Sequence, residues 1–417
     1  MDIKQMTLGI HDCPCGKDHN CPIDYVEIGS GVLPRIAEIC AGFSKILLVA
    51  DQNTYRVCGA EVEGYLVGKI AGKVVFRTGD KPLIPDEVAL ETIDNEVKDA
   101  DLIVGVGSGV INDLCKQVSF AHDLPYYIVA TAPSMDGYAS VGSALILKGM
   151  KVTLNARPPK AILADARVLK DAPMDMLQAG FGDIVGKYSC LNDWKLSALI
   201  NGEYLCRQVY DIVYETARKV EGLAEGIKSR DEEAVCALMD ALVVVGIAMA
   251  YVGNSRPASG SEHHLSHFFE ITGILENKPY FSHGIDVIYS AVATAAIRER
   301  LLRCEPHPYT HDAAAWNGQI ERIYTTSAEE VKKLQGKLGW YESADFENVC
   351  ANWEGIREVL SEAPSEERML EMVKSVGLDY AEFVALYGQE KIDDAIVYAK
   401  DLKDRYSVLW LNYLFCR

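Results

Sequence analysis

Histidine is scarce in this 417-residue chain, which has nine, and basic residues are outnumbered 41 to 60 by acidic ones, for a formal net charge of −19. Too little positive charge is present for a surface that holds nucleic acid or an anionic membrane, because both present phosphate and demand clustered lysine and arginine. Long apolar runs are lacking as well. The longest, ALVVVGIAMAYVG from Ala241 to Gly253, follows Asp240 and falls short of the ~20 residues a spanning helix needs, so it reads as a buried helix. The opening MDIKQMTLGIHDCPCG lacks the charged-then-apolar layout of a secretory signal. No internal repeat, heptad pattern or low-complexity segment is visible. The twelve cysteines are scattered rather than packed as in a small secreted scaffold, which points to reduced thiols and a cytoplasmic setting. One local cluster stands out: Cys13, Cys15, His19 and Cys21 in CPCGKDHNC. It admits two readings, a zinc knuckle or a loop that carries thiols, and its C-x-C spacing departs from the usual C-x2-C of zinc sites.

What is present is an ordinary globular balance, 49% apolar and 24% charged, long enough for two or three domains. Short β-rich runs alternate with helical stretches over the first ~165 residues, the pattern of a parallel α/β sheet. The runs are Lys45–Asp51, Gly72–Gly79, Asp101–Gly109, Pro125–Pro133 and Ala161–Leu169, with a hairpin over Ala144–Leu154 broken at Lys148-Gly149. Beyond Asp171 the spacing turns helical, as in Glu203–Ile227, Asp231–Gly253, Ala328–Gly339 and Ser365–Ser375. The expected architecture is an α/β, Rossmann-like domain over residues 1–170, followed by an all-helical domain over 171–417, with ligands beyond the carboxyl ends of the parallel strands.

Two stretches carry candidate chemistry. GVGSGVIND places Gly105, Gly107 and Gly109 between a strand and a helix, where backbone can approach a diphosphate and the helix N-terminus offers N–H groups and a positive dipole end. The spacing is not G-x-G-x-x-G, and the plain alternative is a tight strand-to-helix turn. Asp51 ends a strand and fits either a ribose hydroxyl or a helix N-cap. The other stretch is GSEHHLSHFFE, which gathers three of the nine histidines. His263 and His267 are spaced to share a helix face while His264 points elsewhere. A polar helix with solvated imidazoles is the plain reading. The alternative is a metal taken by His263 and His283, the latter in FSHGIDV, with a carboxylate such as Asp183 in GFGDIVGKYS. Such nitrogen and oxygen donors suit Zn2+, Ni2+ or Fe2+.

Taken in order, GVGSGVIND, TAPSMDGYAS, GFGDIVGKYS, SGSEHHLSH and FSHGIDV resemble the iron-containing alcohol dehydrogenase and dehydroquinate synthase-like superfamily, most of all its bacterial sn-glycerol-1-phosphate dehydrogenase branch. The resemblance spans Gly105 to Val287 and implies NAD(P) and one divalent metal; the Asp51 carboxylate, set against a ribose 2′-hydroxyl, would favour NAD(H) while allowing some NADP(H). The resemblance implies Asp183, His263 and His283 as ligands, His267 as a catalytic group close to substrate and Asp136 facing substrate and nicotinamide. It extends the cofactor site from Asp51, Gly105, Gly107 and Gly109 to Ser108, Asp113, Thr131, Ser134 and Ser140. The substrate it implies is a small phosphorylated ketone or polyol, dihydroxyacetone phosphate giving sn-glycerol 1-phosphate, in a cytoplasmic homo-oligomer. Lys187 is the expected cation for the phosphate, its alternative being a surface ion pair. Lysine at position 187 also departs from the four-ligand iron pattern, which has histidine there. An unphosphorylated polyol and a dehydroquinate synthase-like lyase are the rival chemistries.

Overall fold

A computed structural model describes residues 3–79, 82–147 and 150–416. Six strands form one parallel sheet: β1 (Tyr25–Gly29), β2 (Ile46–Asp51), β3 (Ile70–Phe76), β4 (Leu102–Gly107), β5 (Tyr126–Ala130) and β8 (Ala161–Asp165), in the order β1-β8-β5-β4-β2-β3. β6 (Gly142–Leu147) and β7 (Met150–Asn155) pair antiparallel as a separate hairpin. Its Lys148-Gly149 turn lies outside the described residues. β2 and β4 were easy to read because the interior strands of a parallel sheet are covered on both faces and so appear as continuous apolar runs. Ile46 to Ala50 and Leu102 to Gly107 are accordingly buried throughout. β1 escaped the sequence reading. It is a short edge strand, YVEIG, half-buried along its whole length and paired with β8 alone.

The molecule divides into two compact units, neither of them contiguous. The first comprises Met1–Ile184 with Gly222–Asn254, the second Val185–Glu221 with Ser255–Arg417. A single cut at residue 170 is therefore not what the chain packing shows. The physical reason is the helix Glu232–Val252, which contains the longest apolar run and packs on β1, on the helix Ala166–Lys170 and on the turn Asp136–Ala139. The helix is 21 residues long, and an 18-residue stretch of it has a mean hydropathy of 2.3, enough to cross a membrane, yet 72% of that stretch is buried inside the protein. Its close approach to the Asp136 turn depends on Gly246, where a Cβ would come within 2.7 Å of the Ala139 Cβ and 2.8 Å of the Asp136 carbonyl oxygen.

The second unit is helical. Ser261–Glu276 and His283–Leu302 pack side by side, and Lys187–Asn201 lies against both. The aromatic rings of Phe269, Phe383 and Tyr387 stack and cross within 4.1–5.2 Å of one another around them. The expected helices Ala328–Gly339 and Ser365–Ser375 are Ala328–Leu338, closed by left-handed Gly339, and Glu366–Ser375, capped by Ser365. The expected helix Glu203–Ile227 is instead two, Arg207–Glu221 and Ala224–Lys228. One expectation is corrected outright: Cys304 and Cys416 form a disulfide, so the cysteines are not all reduced thiols.

Candidate metal and nucleotide site

In the first unit the sheet topology places the nucleotide candidates. The chain leaves β2 to form β3 on one side and returns to form β4 on the other, so β2 and β4 flank a switch point, where open α/β sheets bind ligands. Asp51 closes β2, Gly107 closes β4 beside it with Ser108 next, and Thr131 follows the end of β5. Four expected positions thus share one edge. Ser108 starts the helix Gly109–Ala121 and makes no side-chain cap bond, which leaves the first-turn N–H groups to face an anion.

The glycines divide the labour differently from the sequence reading. A Cβ on Gly107 would lie 2.6 Å from Ile111, and one on Gly105 3.0 Å from the Cys115 sulfur. Those two glycines let the helix lie down on its strand. Gly109 would meet only Met135, at an ordinary 3.4 Å.

Asp113 and Ser140, expected at the cofactor, serve as internal braces. Lys116, wholly buried, donates to the Gly137 and Gly142 carbonyls at 2.8 Å each and lies 3.3 Å from Ser140 Oγ and 3.6 Å from Asp113 Oδ1. The other Asp113 oxygen accepts the Ala144 N–H at 3.1 Å. Burial pushes the Lys116 ammonium below the usual lysine range. Ser134 sits in the following loop, its N–H on the Ala132 carbonyl at 3.0 Å. Asp51 fills the N-cap role: Oδ1 accepts the Asn53 and Thr54 N–H groups at 2.7 and 3.0 Å, and Thr54 Oγ1 accepts the Asp51 N–H. Both cap bonds use Oδ1.

Asp183 stands near the end of the helix Met174–Val185, fully buried, with Oδ2 accepting the Asp136 N–H at 2.9 Å. This brings together two residues that the sequence could only name separately. The helix can reach the Asp136 loop because residue 180 is glycine: a Cβ there would lie 1.9 Å from the Pro133 carbonyl oxygen.

In the second unit the imidazoles converge. His263 and His267 lie on the helix Ser261–Glu276, and His283 begins the next helix. Ring centroids are 5.0 Å apart for His263 and His283, 5.6 Å for His267 and His283, and 6.1 Å for His263 and His267. A nitrogen of His263 and one of His283 come within 4.8 Å, close enough to share one ion. His263, at 5% exposed, and His264, at 0%, are not solvated, whereas His267 and His283 are half-buried. His264 does point elsewhere. Neither of its ring nitrogens has a hydrogen-bond partner among the described residues, and burial, followed by the charges of Arg405 and Lys403, holds it well below the usual histidine range.

Glu262 is the residue that sequence reasoning missed. Its Oε1 lies 2.6 Å from His263 Nδ1 and accepts the Gly260 N–H at 2.9 Å, at zero exposure. A carboxylate here accepts, so Nδ1 carries the proton and Nε2 keeps its lone pair for a metal. Burial alone would raise the Glu262 carboxyl, but the His263 bond and charge, the Gly260 N–H and the Lys187 charge together hold it below the usual range. The only signal was its place immediately before His263. Asp193 was missed too. It accepts the Ser261 N–H at 2.6 Å and an Arg298 N–H at 3.0 Å, pinning the start of the histidine helix. Lys187, expected at a substrate phosphate or on the surface, is wholly buried and donates to the Ala258 carbonyl at 2.9 Å.

The donor set fits the groups that the motifs imply. Two imidazoles of the second unit, one oriented by a carboxylate, offer nitrogen to a borderline divalent ion, and Asp183 in the first unit is a buried oxygen donor. The uncapped helix start at the sheet's switch point suits a dinucleotide.

Comparison with known proteins gives a consistent picture. The sequence profile of iron-containing alcohol dehydrogenases matches residues 27–173. A glycerol-1-phosphate dehydrogenase [NAD(P)+] of Geobacillus stearothermophilus is 32% identical over 386 residues, covering 90% of this chain and 88% of the relative. One from Halalkalibacterium halodurans is 32% identical over 302 residues, covering 71% and 76%. Among solved structures, an archaeal halo-thermophilic alcohol dehydrogenase from a Red Sea brine pool aligns over 95% of this chain and 98% of its own, with a TM-score of 0.61 at 15% identity.

Proposed function

The chain belongs to the iron-containing alcohol dehydrogenase family, on its NAD(P)-dependent glycerol-1-phosphate dehydrogenase branch, and from that premise we propose that it reversibly reduces dihydroxyacetone phosphate to sn-glycerol 1-phosphate at one divalent metal held by Asp183, His263 and His283. The observation that carries the ligand assignment is the converging imidazole group with Glu262 bonded behind His263. A histidine buried for packing alone has no need of a buried carboxylate that fixes its tautomer and directs Nε2 outward.

When bound, the metal supplies Lewis acidity to a carbonyl oxygen and the nicotinamide supplies hydride. The chain's own residues do the rest. Glu262 keeps the proton of His263 on Nδ1, and Asp193 holds the helix start that carries both. His267, half-buried like His283 beside it, would exchange a proton between substrate and solvent. Asp183 also ties down the Asp136 backbone, so the loop expected to face substrate and nicotinamide is positioned by a metal ligand. Asp51 would offer Oδ2 to a ribose hydroxyl while Oδ1 caps its helix, and Ser108, Gly109, Thr131 and Ser134 would line the nucleotide. Lys187 acts through its charge on Glu262, which replaces the direct phosphate contact expected from the sequence; its ammonium is buried and committed to Ala258.

One assay tests the reading. NADH oxidation is followed with dihydroxyacetone phosphate, with dihydroxyacetone and with no ketone, before and after chelation. The expected result is chelator-sensitive turnover with kcat/KM at least ~100-fold higher for the phosphorylated ketone, the scale of one or two charge-assisted hydrogen bonds. Equal efficiency on the two ketones would make the enzyme a polyol dehydrogenase. NADH turnover that survives removal of the metal would overturn the metal assignment.

A further inference from the structure

The cysteine-rich segment near the N-terminus has no part in that chemistry, yet its geometry is that of a ligand set. Residues 9–21 fold back on themselves. Ile10 and His19 exchange both backbone hydrogen bonds at 2.9 Å, and the Gly16 N–H closes a turn onto the Cys13 carbonyl at 2.9 Å. That turn uses a left-handed residue, Gly16 at φ 81°, which costs glycine little. The fold-back brings one donor atom from each of Cys13, Cys15 and His19 within 4.8 Å of the others. Cys15 Sγ lies 3.3 Å from His19 Nε2. Cys21, the last member of the sequence cluster, stands outside this group.

His19 supplies the decisive detail. It has no exposed surface, and its Nδ1 lies 2.9 Å from the carbonyl oxygen of Tyr251, 232 residues away in sequence. A carbonyl can only accept, so Nδ1 carries the proton and Nε2 presents its lone pair toward the thiols. This arrangement, a ring N–H on a backbone carbonyl with the opposite nitrogen turned to a sulfur cluster, fixes metal-ligating histidines in general.

We propose that Cys13, Cys15 and His19 bind a structural zinc ion, distinct from the catalytic metal. Thiolate and imidazole donors select zinc over magnesium or calcium, and each thiol releases its proton to solvent as the metal binds. C-x-C spacing, the feature that argued against a knuckle, is accommodated because buried Cys13 opens the turn closed at Gly16 and half-buried Cys15 lies within it. The ion locks the segment to the end of the helix Glu232–Val252, where Tyr251 also donates its hydroxyl proton to the Met6 carbonyl. A tetrahedral zinc takes four ligands, so one position remains for a further thiol or a water.

The test uses the full chain, zinc-loaded and cobalt-substituted. The expected result is a thiolate-to-cobalt charge-transfer band, which the nitrogen- and oxygen-liganded catalytic site does not produce. Cys13→Ser, Cys15→Ser and His19→Asn should each lose one zinc equivalent and melt at lower temperature while the catalytic metal and NADH turnover are retained. His263→Ala should lose the other equivalent and keep the charge-transfer band. Should the cysteine variants fail to fold, thiol alkylation of the unaltered protein gives the same answer. Cys13 and Cys15 should be protected until a chelator is added, and any third thiol protected with them is the fourth ligand. A cobalt protein without a thiolate band, or equal alkylation of Cys13 and Cys15 with and without chelator, would overturn the proposal.

Discussion

Replacing Glu262 separates a residue that orients a metal ligand from one that merely packs beneath it. In Glu262→Gln the amide oxygen can still accept from His263 Nδ1 and the Gly260 N–H, now at 2.6 and 2.9 Å, but the negative charge beside Lys187 is lost. The imidazole becomes a weaker base, and metal affinity should fall about tenfold, or about 1.4 kcal/mol, the lower end of what outer-shell carboxylates contribute. Glu262→Ala goes further. It strands two N–H donors at a site with no exposure, and each buried unpaired donor costs about 1–3 kcal/mol. The metal-free protein should therefore lose about 2–6 kcal/mol of stability, and metal affinity should fall about 100-fold. Competition against a chromophoric chelator measures the first quantity, and urea unfolding of the metal-free protein measures the second. Unchanged metal affinity in both variants would refute the reasoning and reduce Glu262 to a packing residue, even if Glu262→Ala were less stable.

Other consequences are equally concrete. Gly180→Ala drives a methyl group into the Pro133 carbonyl 1.9 Å away, a backbone atom that cannot rotate aside, so stability should fall by about 3 kcal/mol or more on urea unfolding; a loss within error would show that the Pro133 loop yields freely. Arg256 and Glu203 form a bidentate pair at 2.7 and 2.5 Å, and although burial alone would raise the Glu203 carboxyl, Arg256 holds it below its usual value. A depressed carboxyl stabilises above its unfolded pKa of ~4.3 and loses that contribution as pH falls through the folded value, so Arg256→Ala should cost about 2–3 kcal/mol at pH ~7 and far less near pH ~3.5. A cost equal at both pH values would sever the link to Glu203. Asp51→Ser keeps a good N-cap while removing the carboxylate, so the NAD(H) to NADP(H) preference should shift toward NADP(H) with little change in melting temperature; a fixed ratio would leave Asp51 as a cap alone.

Features that depend on neighbours along the chain are legible without the fold. β2, β4 and β5 were legible because buried parallel strands are written as apolar runs, and the helices because their apolar residues recur with the helical period. The kinds of donor in GSEHHLSH and FSHGIDV were legible for the same reason, since donor chemistry belongs to the side chain and not to its surroundings. What those side chains do was decided by contacts between residues far apart in the sequence. Only the fold shows that Asp113 and Ser140 brace Lys116, that Lys187 is buried on Ala258 and that Cys304 meets Cys416. The apolar helix Glu232–Val252 likewise joins a unit whose sheet ended 67 residues earlier, at Asp165, through the clearance that Gly246 leaves for the Asp136 turn. The tautomers of His263 and His19 follow the same rule. An imidazole has two nearly equivalent nitrogens, and which one keeps its lone pair is settled by the oxygen that packing brings to the other: Glu262 for His263, and for His19 a Tyr251 carbonyl 232 residues away.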